Sequence, residues 1–385
     1  MTTRTLGVGV VGLGWMGEAH TRAYARLLHH YPAAPLRPVL VAVADPADDD
    51  RVARGAAAYG FAHTYTDWRD LLARDDVDVV SVTGPNYVHA EIGTAVAEAG
   101  KHLWIEKPAG RSVAETRAVA AAVEAAGVQS AVGFNYRNAP AVERARELVG
   151  SGRIGTVTHV DVRFCSDYAA HPQGALSWRF QNAYAGSGVL GDLVSHGVDL
   201  ARYVVGDIAE LVADDARFVA QRPAAVGAAS HFARGGDGPL LDVENEDYVG
   251  ALLRFAGGAR GTLVSSRASV GEQCTYGIEV HGTTGALAWD FRRMGELRVC
   301  LDQDYQDASY ATWFATPRDG ELGAFQPGTG IAMGYDDLKV IEAERLVRSI
   351  AEGKPYGATL HDAVVAAEAV EALARSVAER RWVSL

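Results

Sequence analysis

"LGVGVVGLGWMGEAH", residues 6–20, decides the fold. The apolar run from Leu6 to Val11 reads as a buried strand. Gly12, Gly14 and Gly17 interrupt it, and "EAHTRAYARLLHH" then takes up a helical pattern. In that order they make a GxGxxG fingerprint. Its glycines allow a tight turn, close approach to a pyrophosphate, and close packing of a helix whose amino terminus faces the phosphates. The residues between them, Leu13, Trp15 and Met16, are expected beside the cofactor. The next apolar strand, "VLVAVADP", ends in Asp45, placed to accept hydrogen bonds from an adenosine ribose and to repel a 2′-phosphate. Asp48, Asp49 and Asp50 add to that negative field, so NAD is favoured over NADP. Asp45 lies 28 residues past Gly17, more than the usual spacing of about 20, because "YPAAPLRP" lengthens the connection.

Strand and helix continue to alternate. "DVDVVSVTGPNYVH" (76–89) reads as a strand, a Gly-Pro-Asn turn and the approach to a helix over about 90–99. "KHLWIEKPAG" (101–110) is a short buried strand closed by Glu106, Lys107 and Pro108. "RSVAETRAVAAAVEAAG" carries a Ser112/Glu115 capping box and a closing Gly127, and "VQSAVGF" is a further strand. Such units predict a parallel, doubly wound sheet that binds ligands at the carboxyl ends of its strands, where Asn86 and Lys107 fall. Charges followed by proline are also ordinary stop signals for a strand. Composition favours a special role for the lysine, since the chain has four lysines (Lys101, Lys107, Lys339, Lys354) among 36 basic residues. A compact ammonium can approach a single oxygen where a guanidinium fork cannot.

After the helix "PAVERARELV" (140–149) strands dominate: "TVTHVDVRF", "DYVGALLRFAGGARGTLVSSR" and "YGIEVHGTTGALAWDF", the last with a hairpin signal. Two helices, about 337–352 and 361–380, close the chain. The expected fold is α/β: a Rossmann domain over 1–134, and a domain over 135–385 with an open, mostly antiparallel sheet. An open sheet needs its second face covered, which points to a homodimer or homotetramer. Within "SGVLGDLVSHGVDLARYVVG" (187–206), an ideal helix at about 100° per residue brings Asp192, His196, Asp199 and Tyr203 within about 60° of one another.

A net charge of −12 argues against nucleic acid and anionic membranes as partners. Cys165, Cys274 and Cys300 are scattered, as suits a reducing cytoplasm. No apolar run approaches the roughly 20 residues of a membrane span, and the amino-terminal stretch lacks a signal-peptide pattern. His29 and His30 lack ligand spacing and no HExxH occurs, so no metal is expected.

Taken together, "VGLGWMGEAH", "VAVADP", "TGPNYVH", "AGKHLWIEKP" and "GDLVSHGVDLARYV" resemble the Gfo/Idh/MocA family of glucose-fructose oxidoreductase and inositol dehydrogenase. The resemblance implies a Rossmann domain joined to an open-sheet α/β domain. It puts Lys107, Asp192 and His196 at the catalytic positions, with Asp45 selecting NAD. The expected cofactor set is Gly12, Leu13, Gly14, Trp15, Met16, Asp45, Thr83, Pro85, Asn86, His89, Glu106, Lys107, Trp178 and Arg179. The expected substrate set is Lys107, Asn135, Tyr136, Trp178, Asp192 and His196. The aromatic and polar stretch "DYAAHPQGALSWRFQNAY" suits a polyol ring, and no basic cluster marks a phosphate. An unphosphorylated sugar, anhydrosugar, glycoside or cyclitol is therefore expected. Oxidation of its secondary hydroxyl calls for a base such as histidine and a donor such as lysine for the developing alkoxide. Two alternatives are a hydrolase or lyase working through transient oxidation with retained NAD, and a sensor without catalysis, against which the acid–base set speaks. The segment 303–330 has no assigned meaning.

Overall fold

In the first part of the chain six strands pair in parallel, the inner ones aliphatic and largely buried on both faces, as near-continuous apolar runs are when helices cover them. They are β1 (Arg4–Val11), β2 (Leu36–Ala44), β3 (His63–Tyr65), β4 (Val79–Val82), β5 (His102–Ile105) and β6 (Ser130–Val132). Their order in the sheet is β3-β2-β1-β4-β5-β6. The direction of winding reverses between β1 and β4, and that reversal opens a crevice at the carboxyl ends of these two strands. The computed structural model describes residues 4–47, 50–224, 234–235, 238–302 and 306–385. Asp48 and Asp49 of the acidic run, and the first three residues of segment 303–330, lie outside them.

The chain divides into two compact units, Met1–Asn138 with Met333–Val364, and Ala139–Ala332 with Val365–Leu385. The sequence division placed everything after residue 134 in one domain; residues 135–138 and 333–364 belong instead to the first unit. The cause is the helix Tyr335–Glu352, which buries Leu338, Val340, Ile341, Leu346 and Val347. Near its start, Asp336 and Asp337 accept from Arg22 (2.6 Å) and Arg26 (2.7 Å) of the helix Trp15–His30. A helical pattern shows that a helix forms, and these partners show where it packs.

Within the second unit a nine-stranded sheet is built from β7 (Val157–Ser166), β8 (Ile208–Ala216), β11 (Tyr248–Phe255), β12 (Arg260–Ser266), β13 (Cys274–Gly282), β14 (Ala286–Asp290), β15 (Glu296–Cys300), β16 (Ala311–Phe314) and β17 (Val383–Ser384). The order is β16-β15-β14-β13-β7-β12-β11-β8-β17, and a separate ribbon pairs β9 (Gln221–Pro223) with β10 (Leu240–Asp242). Only β7 and β12 run parallel. The segment after residue 303 supplies the edge strand β16. One face of β7 and β12 carries the helix Ser195–Val204, brought close by Gly197, whose added Cβ would meet Val162 and Leu263 at 3.2 Å. Along β11, residues alternate between buried and more open, and Leu252 is 52% exposed. Among the described residues, no helix is long and apolar enough to cross a membrane.

A buried ion pair anchors this unit. Arg267 Nε donates to Asp247 Oδ1 at 2.8 Å and Nη2 to Asn245 Oδ1 at 2.8 Å, while the backbone N–H groups of Phe218 and Val219 also donate to Asp247. Removing one partner strands the other charge without solvent. Arg267→Met should therefore lower unfolding free energy by roughly 3–5 kcal/mol, read as a shift in urea midpoint at constant slope.

Candidate active site

The glycine turn is shaped for a pyrophosphate. Gly12 has φ +89°, and a Cβ on Gly17 would lie 1.9 Å from the Gly12 carbonyl oxygen, so the helix can start this close only on glycine. A Cβ on Gly14, by contrast, would meet nothing within 4 Å, which leaves the approach to the turn open. Thr83, at the end of β4, donates through Oγ1 to the Gly12 carbonyl at 2.8 Å and so joins the two strands flanking the crevice. Asp45 accepts from the Leu13 N–H at 2.7 Å and the Ala47 N–H at 2.9 Å, and Arg51 stands 3.9 Å from it. Pro85 and Asn86 begin the helix that follows β4. Beside the turn, the exposed ring of Trp15 stacks on Tyr335 with centroids 5.5 Å apart, and the Tyr335 hydroxyl reaches Met16 Sδ at 3.7 Å. The turn and the open Gly14 fit a dinucleotide.

Three residues expected at the cofactor are engaged elsewhere. The Leu13 side chain is fully buried, and its backbone N–H and carbonyl are taken by Asp45 and Arg51. His89 is buried between the carbonyls of Pro108 and Gly84, each 2.7 Å from a ring nitrogen. Burial lowers its pKa while those carbonyls pull the other way, and its role is to brace two loops. Glu106 is also buried, with both oxygens occupied. Oε1 meets His20 Nε2 at 3.0 Å and Lys339 Nζ at 2.5 Å, and Oε2 accepts the Lys107 N–H at 3.3 Å.

This carboxylate belongs to a network with no counterpart among the expected residues. Burial alone would raise the Glu106 pKa, but Lys339 and then His20 hold it well below the usual carboxylate range. Burial lowers the His20 pKa to about 4. Its ring is therefore neutral near pH 7. The carboxylate at Nε2 fixes the proton there and leaves Nδ1, 3.2 Å from Ser81 Oγ, as an acceptor. His20 also stacks on Trp104, centroids 3.6 Å apart. Lys339 has a second carboxylate, Glu342, at 2.8 Å. Burial and the charge of Glu106 push Glu342 up to about 7 despite the lysine, because one ammonium cannot fully match two buried carboxylates. The rarity of lysine, already noted for Lys107, was the signal in the sequence that could have found Lys339.

Two expected substrate residues, Asn135 and Tyr136, follow β6. Asn135 is buried beside Tyr335. Tyr136 packs edge-on against Tyr335, centroids 6.1 Å apart.

In the second unit Asp192 and His196 share one helical run, but not an ideal one. Leu190–Val194 is a π-helical turn that passes into the α-helix Ser195–Val204. The wider turn breaks the 100° spacing assumed from sequence. His196 and Asp199 are buried, at 7% and 3% exposure, and Asp192 and Tyr203 are half-buried. Tyr168 donates to Asp192 Oδ2 at 2.6 Å, and Arg179 stands 3.7 Å away with its guanidinium 4.5 Å over the Trp178 ring. Burial first, and then the charge of Asp192, raise the Tyr168 pKa, so the phenol stays protonated as a donor. The His196 carbonyl accepts from Tyr276 at 2.8 Å, which fixes the backbone that carries the imidazole. Among the described residues no cluster of three or more His, Cys, Asp or Glu could hold a metal ion.

Residues 6–134 match the model of an oxidoreductase family with an NAD-binding Rossmann fold, and residues 142–288 match the GFO/IDH/MocA C-terminal domain. A levoglucosan dehydrogenase of Pseudarthrobacter phenanthrenivorans is 35% identical over 99% of this chain and 98% of its own. An inositol 2-dehydrogenase of Rhizobium meliloti is 26% identical over 99% of each. The solved structure of levoglucosan dehydrogenase in its apo form superposes with a TM-score of 0.94 at 35% identity and 99% coverage of both chains. Its complex with NADH and levoglucosan gives 0.92 at 34% identity, with 99% of both chains covered.

The raised pKa of Glu342 has a consequence for stability. Its carboxyl is harder to ionise in the folded chain than its ordinary value of 4.5 implies, so its contribution is complete below pH 4.5 and is lost as pH rises through about 7. Glu342→Gln removes that loss. The difference in melting temperature, variant minus parent, should grow more positive from about pH 5 to about pH 8 in scanning calorimetry. A flat difference would mean that Glu342 titrates normally.

Proposed function

The chain belongs to the Gfo/Idh/MocA oxidoreductase family, and on that premise we propose that it oxidises one secondary hydroxyl of an unphosphorylated sugar, anhydrosugar, glycoside or cyclitol. An anhydrosugar of the levoglucosan type is the first candidate, on the likeness to the levoglucosan dehydrogenase. The observation that carries the reading is the helical run with Asp192 and His196 four residues apart, its carboxylate held by Tyr168 and its backbone by Tyr276. NAD, held at the glycine turn by Gly12, Gly14 and Asp45, would accept the hydride when bound. His196 takes the hydroxyl proton as the general base. Lys107 donates to the same oxygen as negative charge develops on it. Asp192, bound by Tyr168 and flanked by Arg179, orients the imidazole or a neighbouring substrate hydroxyl. Asn135 and Tyr136 contact the substrate, Trp178 serves cofactor and substrate alike, and Arg179 serves the cofactor.

A panel of sugars, anhydrosugars and inositols assayed with NAD and NADP tests this reading, and kcat/KM should be highest for an unphosphorylated member with NAD. Lys107→Arg keeps the charge but is too wide to approach the oxygen beside the nicotinamide, so kcat should collapse while NAD still binds. His196→Asn should cost roughly 100- to 10,000-fold in kcat, with the residual rate rising with pH as hydroxide takes over. Near-parental kcat in Lys107→Arg would reduce the lysine to a strand terminator, and better use of NADP would remove the assigned role of Asp45. We further propose a homodimer or homotetramer through the open sheet. Light scattering should report one, and a monomer at micromolar concentration would contradict it.

A further inference from the structure

We infer that Lys339, on the helix Tyr335–Glu352, is a positioning residue for Lys107 and acts through the carboxylate of Glu106. The inference rests on the proposed role of Lys107. Glu106 ends β5, and its Oε2 accepts the backbone N–H of Lys107 at 3.3 Å, so the carboxylate and the lysine are parts of one turn. Its other oxygen receives Lys339 Nζ at 2.5 Å and His20 Nε2 at 3.0 Å, from two different helices. The remaining side is closed by Gly133, just after β6, where a Cβ would stand 2.5 Å from either Glu106 oxygen. The carboxylate therefore has one place to lie. What keeps it there as an anion is Lys339, fully buried, while His20 is neutral. Without the ammonium, burial favours the protonated acid, which has lost half of its strong acceptors and no longer fits its two donors. The turn that presents Lys107 would then relax.

An ammonium that must meet a single substrate oxygen tolerates little displacement, since an error of about 1 Å in a reacting group can cost on the order of 100-fold in rate. Lys339 is thus tied to the chemistry by the loss of orientation its removal causes. The loss should be one that Lys107 alone transmits.

A double-mutant cycle on kcat reads this directly. Lys339→Met, which keeps the length and apolar stem, should lower kcat on the order of 10- to 100-fold and leave NAD affinity, measured by fluorescence titration, within a few-fold of the parent. Made in a Lys107→Ala background, the same change should cost almost nothing further. A general loosening of the fold would subtract equally in both backgrounds, and that result overturns the inference. Lys107→Ala alone separates the two layers. Near-parental kcat there brings down the proposed role of Lys107 and this inference with it, whereas a collapse with equal Lys339→Met losses in both backgrounds overturns only the inference. If Lys339→Met does not fold, Glu106→Gln, which keeps the shape but not the charge, enters the same cycle with the same two outcomes.

Discussion

A carboxylate sealed beneath the end of a parallel strand stays ionised only if a cation is sealed in with it. Desolvating each ion costs several kcal/mol, and good geometry with further hydrogen bonds is needed to offset that. Glu106 meets the condition through Lys339 and a neutral His20 that donates to it. The pairing dictates much of the first unit. It requires a glycine at 133, it draws the late helix Tyr335–Glu352 onto the amino-terminal strands and helices, and it holds the turn where Lys107 leaves the sheet. The arginine and aspartate pairs between the helices Trp15–His30 and Tyr335–Glu352 are more exposed, and act as a polar rim around this buried pair.

The second unit holds Asp192 and His196 by different means. A π turn over Leu190–Val194 sets Asp192 off from His196, and a protonated Tyr168 donates to the carboxylate. The sheet beneath fixes His196 through its carbonyl and Tyr276. Each unit thus holds these side chains through buried partners: a charged network below Lys107, and a phenol and a backbone clamp around Asp192 and His196.

Much of this was legible in the sequence, and what was not has physical causes. The glycine turn, the strand ends at Asp45, Thr83 and Lys107, and the open sheet all rest on local patterns, and the structure has the same elements. A helical pattern could not reveal that residues 335–352 return to the first unit, because that depends on which surface accepts the helix. An ideal helix was the wrong ruler for Asp192 and His196, since a π turn leaves no mark in apolar periodicity. His89 and Glu106 were expected at the cofactor from the family resemblance; both are buried, with His89 held between the carbonyls of Pro108 and Gly84 and Glu106 between His20, Lys339 and the Lys107 N–H. The scarcity of lysine was informative beyond Lys107. Lys101 donates to the carbonyls of Arg74 and Val77 at 2.8 Å each, and Lys339 neutralises Glu106, so each has work that a guanidinium would do differently.

Whether this chain performs a net oxidation is decided by one ratio. With enzyme and NAD in excess over a sugar it accepts, the amounts of reduced nicotinamide formed and of sugar consumed are measured in a single turnover. A dehydrogenase yields equal amounts, together with a ketone at one carbon of an otherwise intact sugar. Sugar consumed with a broken glycosidic bond and no net reduced nicotinamide would contradict net oxidation and assign the site to elimination through a transient ketone.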